Sequence, residues 1–198
     1  MLLSELQYAA LLSYASHGDS ASVQHSRDIM LTLKRDGFFQ GASNRQILAS
    51  EWVAQTIQRN RSALPFASFL SPDTILVPTP KSSLGKEVAQ VLSRVRPLRK
   101  AALSAPENRP LPKEHYDSME VQKLLPEPSS IVLVDDIVTR GSTLLGAASR
   151  LAEAFPKTKI FAFAAMRAIT SEEEFDQEYS PVIGKILLRS QGDTPRRP

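Results

Sequence analysis

The stretch Ser130-Ile131-Val132-Leu133-Val134-Asp135-Asp136-Ile137-Val138-Thr139-Arg140-Gly141-Ser142-Thr143 constrains this chain more than any other. Four consecutive apolar residues, Ile131 to Val134, predict a strand buried on both faces, as in a parallel sheet. Asp135 and Asp136 follow at the expected carboxyl end of that strand, where open α/β sheets bind their ligands. Thr139 to Thr143 reads as a turn. Leu144, Ala148, Leu151 and Phe155 then share one face of a helix over 144–155. A helix N-terminus with unpaired amides, flanked by hydroxyls and a glycine, cradles anions. Acids for sugar hydroxyls beside a cradle for phosphate compose a site for a ribose 5-phosphate. The plain alternative is an ordinary strand–turn–helix corner whose acids cap the helix or face water.

This segment resembles the phosphoribosyl pyrophosphate (PRPP) motif of type I phosphoribosyltransferases: a hydrophobic strand, two acids, two variable positions, then Thr-x-Gly-x-Thr/Ser. Asp135 to Thr143 satisfies every position. Arg140 departs from the threonine often found there and is similar to the amidophosphoribosyltransferase branch. The resemblance implies an α/β fold, a parallel sheet flanked by helices. It implies that Asp135 and Asp136 act at the reaction centre by binding the ribose 2′- and 3′-hydroxyls. It also implies that Thr139, Arg140, Gly141, Ser142 and Thr143 hold the 5′-phosphate.

A second strand–loop–helix unit precedes it. Ser71-Pro72-Asp73 reads as a turn and Thr74 to Val77 as a strand. The loop Pro78-Thr79-Pro80-Lys81-Ser82-Ser83 follows, ahead of a helix bearing Leu84, Val88, Val91, Leu92 and Val95. Hydroxyls and a lysine at a helix start suit another anion. The Pro-x-Pro form is similar to amidophosphoribosyltransferases and competence-associated ComF-like proteins. By that resemblance Thr79, Lys81, Ser82 and Ser83 would hold the pyrophosphate; otherwise this is a proline-stiffened loop with a solvated lysine. Arg99 and Lys100, read on a further strand, would support the pyrophosphate or a dimer contact.

Between the units, residues 104–120 carry Pro106, Pro110 and Pro112 and read as a loop too polar for the core. The family carries a flexible loop here that closes over the reaction centre. Arg109, Lys113, His115 and Tyr116 are its candidates for contacting pyrophosphate or excluding water, and each also reads as a solvated loop residue.

Elsewhere the pattern predicts helices over 1–16 (Leu3, Leu6 and Ala10 on one face), from Ser20 or Ser22 to about Arg35, and over 46–59 behind a Ser43 or Asn44 cap. Trp52 reads as a core anchor. Ile160 to Ala165 and Val182 to Leu188 read as strands, and Ser171-Glu172-Glu173-Glu174 as the start of a short helix. Three parts follow: a helical N-terminal addition (1–70), a phosphoribosyltransferase-like core (71–189) and a disordered tail (190–198).

The 198 residues suffice for a full core, and 42% hydrophobic with 23% charged residues is ordinary for a globular chain. The absence of cysteine excludes disulfides, a thiolate nucleophile and cysteine-ligated zinc. It sets the chain apart from the amidophosphoribosyltransferases, which need an N-terminal cysteine, and from the zinc-binding ComF-like proteins. The chain has no signal-peptide pattern at its start and no transmembrane run, so a cytoplasmic protein with no membrane partner is expected.

The chemistry implied by the resemblance is displacement of pyrophosphate from C1 of ribose. Mg²⁺ would bridge donor oxygens, with Asp135 and Asp136 as indirect ligands. The implied partners are PRPP or a related ribose phosphate and a second copy of the chain, as a dimer. The acceptor is not legible. The alternatives are a non-catalytic PRPP- or nucleotide-binding regulator, or an accessory protein of nucleic-acid machinery, for which the net charge of +3 is a weak pointer.

Overall fold

The computed structural model describes residues 1–40, 45–80, 91–98, 108–123 and 126–197. Six strands form one sheet: β1 (Glu5–Ala15), β4 (Thr74–Pro78), β7 (Ser130–Val138), β8 (Lys159–Ile169), β9 (Tyr179–Leu187) and β10 (Arg196–Arg197), in the order β10-β9-β1-β8-β7-β4. The run β1, β8, β7, β4 is parallel, and β9 and β10 extend it by antiparallel pairing. This is an α/β architecture with a mostly parallel sheet flanked by helices. Helices α1 (Ala21–Lys34) and α2 (Ala49–Asn60) cover one face. Helix α4 (Ser142–Ala154) covers the other, with α3 (Pro112–Asp117) lying on it.

The run Ile131 to Val134 behaves as its composition dictates. Ile131 and Leu133 join the core under α4, while Val132 and Val134 pack on the α1–α2 side. A strand with both faces apolar can only sit inside a covered sheet. The α4 face holds Leu144, Leu145, Ala148, Leu151 and Phe155 against Leu6, Tyr8 and Ala164. Opposite, Phe66 and Phe69 meet Phe163 and Phe161, and Trp52 stands edge-on to Phe39 with ring centroids 5.5 Å apart.

Several expectations are corrected. Residues 1–16 contain a strand, not a helix: β1 lies in the middle of the sheet, paired to β8 on one side and β9 on the other. Leu and Ala are good helix formers, but tertiary context overrides propensity: from Tyr8 to Ala15 every residue is buried, which suits a strand covered on both faces. The N-terminal region is therefore not a helical addition, since its first strand is an inner member of the sheet.

Helix α1 forms as expected, its N-cap Ser20 accepting from the Val23 N–H. The third helix is shorter than expected, because Gln46–Leu48 forms β3 and pairs with β2 (Phe38–Gln40) before α2 begins. Leu92 to Val95 do not continue a helix. Leu92–Arg94 is β5, which pairs antiparallel with β6 (Met119–Val121) and buries Leu92 and Arg94. Ser171 to Glu174 form a bend and turn, with the Ser171 hydroxyl donating to the Glu173 carboxylate.

The interval 104–120 is structured where it is described. Pro112 opens α3, the Glu114 carboxylate accepts from the Leu111 N–H at 2.8 Å, and Pro110, His115, Ser118 and Met119 are buried. Its seat is Gly146 of α4: a Cβ there would lie 2.6 Å from the Pro112 carbonyl oxygen and 2.7 Å from His115 Cβ. The tail is ordered too. β10 pairs with β9, and Thr194 is 3% exposed. The expected caps Ser43 and Asn44, the helix start Leu84 and Val88, and Arg99 and Lys100 lie outside the described residues.

Candidate functional site

The site forms where β7 outruns its neighbour β4. Pro78, the last residue of β4, pairs with Val134, so Asp135 and Asp136 lie beyond the edge strand while β7 itself runs on to Val138. The acids are thus the sixth and seventh of the nine residues of β7 and do not follow it. Thr79 closes the pairing by donating its N–H to the Val134 carbonyl at 2.8 Å and its hydroxyl to the same oxygen at 3.2 Å.

Asp135 is half-buried and Asp136 exposed. The Asp136 N–H donates to Asp135 Oδ1 at 3.0 Å, and the Ile137 N–H to Asp136 Oδ1 at 2.7 Å. Burial pushes the Asp135 carboxyl up to about 7, and the neighbouring Asp136 charge and hydrogen bond push the same way, against a hydrogen bond from Thr79. Asp135 is therefore a carboxyl that gains from any cation or hydroxyl donor brought beside it.

The turn is built on Gly141, whose φ of +90° lies in the left-handed region. Crowding adds a second requirement, because a Cβ there would sit 2.5 Å from Ile186 Cδ1. Gly141 caps α4 without a side chain, so the first-turn amides of the helix receive no side-chain cap. Ser142 and Thr143 bring hydroxyls to the same turn. Ser142 Oγ lies 2.9 Å from Thr194 Oγ1, and Thr143 Oγ1 lies 3.4 Å from His115 Nε2.

One cleft gathers most of these groups. Asp135, Thr139, Arg140, Gly141, Ser142 and Thr143 line it together with Arg109, Pro110 and His115. His115 is 6% exposed. Burial, reinforced by the Arg94 charge and opposed by Glu114, pushes its imidazole down to about 4, so it is neutral at physiological pH. His115 Nδ1 and Arg109 Nε are buried without a hydrogen-bond partner.

Other expected residues fall elsewhere. Lys113 pairs with Asp117 on the solvent side of α3 and does not line the cleft. Tyr116 gives its hydroxyl to Glu153 and is flanked by Lys113 and Arg150, each 5.0 Å from its ring centroid. Thr79 adjoins β7 without lining the cleft, and Lys81, Ser82 and Ser83 lie outside the described residues. Sequence reasoning missed Thr194 and Arg196, which reach the loop from the far end of the chain. Nothing in Gly192-Asp193-Thr194-Pro195-Arg196 marks them locally.

Among the described residues, no three His, Asp or Glu side chains converge as a metal site, and no helix is long and apolar enough to cross a membrane. No protein-family model matches the chain, and no curated protein matches it.

Proposed function

We propose that the protein binds PRPP, or a related ribose 5-phosphate, in this cleft and transfers the phosphoribosyl group with loss of pyrophosphate, on a type I phosphoribosyltransferase fold. One observation carries the reading: Asp135 and the Gly141 turn, with the N-terminus of α4 behind it, face the same cleft only a few residues apart. A carboxylate accepts from sugar hydroxyls, and a turn of amides and hydroxyls donates to a phosphate. A ribose 5-phosphate presents both kinds of group, hydroxyls on C2 and C3 and a phosphate on C5.

The chain's own groups supply positioning and charge. The loop Thr139 to Thr143 holds the 5′-phosphate and so fixes the ribose in the cleft. Asp135 and Asp136 accept from the ribose hydroxyls and place negative charge beside the ring, where the departing pyrophosphate leaves a cation-like C1. Arg109, which lines the same cleft, supplies positive charge for the leaving group, and neutral His115 supports the lining through Thr143.

Two adjacent hard carboxylates, Asp135 partly buried and Asp136 exposed, would hold Mg²⁺ through water. The ion would neutralise the pyrophosphate as it leaves.

Calorimetric titration with PRPP and Mg²⁺ tests the binding, and pyrophosphate release across a panel of bases and amines tests the transfer. Binding together with release supports the enzyme. Binding without release under any acceptor supports the regulator instead, and no binding removes both.

A further inference from the structure

Residues 193–197 return to the turn that opens α4. Gly192 (φ +85°) turns the chain. Arg189 N–H then donates to the Asp193 carbonyl and Leu187 N–H to the Pro195 carbonyl, each at 3.0 Å. This return places buried Thr194 against Ser142, oxygen to oxygen at 2.9 Å. Two residues on, Arg196 donates from Nη1 to the Val138 carbonyl at 3.2 Å and from Nη2 to the Ala168 carbonyl. One guanidinium thus ties the last residue of β7, immediately before Thr139, to the end of β8. Its partner across the β9–β10 pairing is Ile186, the side chain that closes over Gly141. Arg196 lies over the Tyr8 ring at 5.7 Å and has no carboxylate partner among the described residues.

We propose that residues 193–197 form a strap that positions the phosphate loop, with Thr194 orienting the Ser142 hydroxyl and Arg196 holding the carbonyl from which the loop departs. A serine hydroxyl has one proton to give. When Thr194 donates to Ser142 Oγ, the Ser142 proton is left for the ligand's phosphate; when Ser142 donates to Thr194, that proton is spent. An anion in the cleft selects the first arrangement. Arg196 adds an uncompensated positive charge beneath the loop, which favours a phosphate dianion over a neutral sugar. The strap rests on the ribose-phosphate reading of residues 139–143. Thr194 and Arg196 are positioning residues and touch no ligand.

The test is calorimetric titration of the full chain with ribose 5-phosphate, for wild type, T194V, T194S, S142A and the S142A/T194V double variant, each checked for folding by circular dichroism. A hydrogen bond to a charged group is worth about tenfold or more in affinity. T194V is therefore expected to bind about tenfold more weakly and T194S within about twofold of wild type. The double variant is expected to bind no more weakly than S142A alone. Unchanged binding by T194V overturns the strap, and so does an equal loss in the Ser142 and S142A backgrounds, because a purely structural hydroxyl would act alike in both. R196K is the second variant, should T194V not fold. It keeps the charge but cannot span both carbonyls, and several-fold weaker binding is expected. Wild-type affinity in R196K overturns the role of Arg196. A wild type that does not bind ribose 5-phosphate overturns the loop reading and the strap together, whereas a binding wild type with uncoupled variants overturns the strap alone.

Discussion

Asp135→Asn should stabilise the protein above pH 7 and leave its stability unchanged near pH 4. In the folded chain the carboxyl titrates near 7 against an ordinary value of 3.8, so between these values the folded state keeps a proton that the unfolded state has lost. Stability therefore falls as pH rises from about 4 to about 7, and the full penalty applies above that. At about 1.4 kcal/mol per pH unit the ceiling is about 4 kcal/mol. Asp135 is partly open to water, and solvent screening reduces this to about 1–2 kcal/mol. For a chain of this size that is a melting-temperature gain of about 2–8 °C.

His115 has the opposite sign. Its imidazole titrates near 4 in the fold against an ordinary 6.5, so stability is lost as pH falls from 6.5 to 4. The two slopes oppose each other across that window, and the wild-type profile there should be shallower than the His115 slope alone. Asp135→Asn should unmask the His115 slope, falling toward acid, and His115→Asn should unmask the Asp135 slope, rising toward acid. Melting followed by circular dichroism from pH 4 to 8.5 reads all three profiles. An Asp135→Asn protein less stable than wild type at pH 8, or a difference that does not change with pH, would refute the reasoning. A more stable variant that no longer binds ribose would show a site maintained against the fold's own preference.

Gly141→Ala should destabilise by about 1–3 kcal/mol, because its Cβ meets Ile186 and its φ is left-handed; chemical denaturation measures the loss, and ribose 5-phosphate affinity should fall with it. Gly146→Val should push α3 off α4 at a similar cost of about 1–3 kcal/mol. Faster amide exchange across residues 112–117, with α4 still protected, is the expected signature. Leu133→Ala, at a fully buried position between β4 and β8, should cost about 2–5 kcal/mol by denaturant titration and leave ligand affinity in the surviving folded protein unchanged.

The centre of the site was legible because its signals are local. Four apolar residues, two acids, a glycine and a helical stripe follow one another in β7 and α4, and each element uses residues suited to it alone. β1 was not legible. Its alanines and leucines match a helix as well as a strand, and what decides between them is pairing with residues about 150 positions away in β8 and about 170 away in β9. α3 was hidden for a related reason. Charge at Lys113 and Asp117 describes its exposed side, while Pro110 and Pro112 are buried and its seat is a glycine in α4 that gives no sign of being a slot. The tail was the least legible part. It is held by a hydroxyl pair and a guanidinium on two carbonyls, contacts with no periodicity and no apolar anchor.

The most direct test of the ribose-phosphate reading is calorimetric titration of PRPP with Mg²⁺ into wild type and the Asp135→Asn/Asp136→Asn double variant. Two charge-assisted hydrogen bonds to ribose are worth about 3–6 kcal/mol together. The double variant should therefore stay folded and lose affinity by at least about a hundredfold, while wild type binds with a stoichiometry of one per chain. A wild type that does not bind PRPP, or a folded double variant that binds it as tightly as wild type, would contradict the assignment of this cleft.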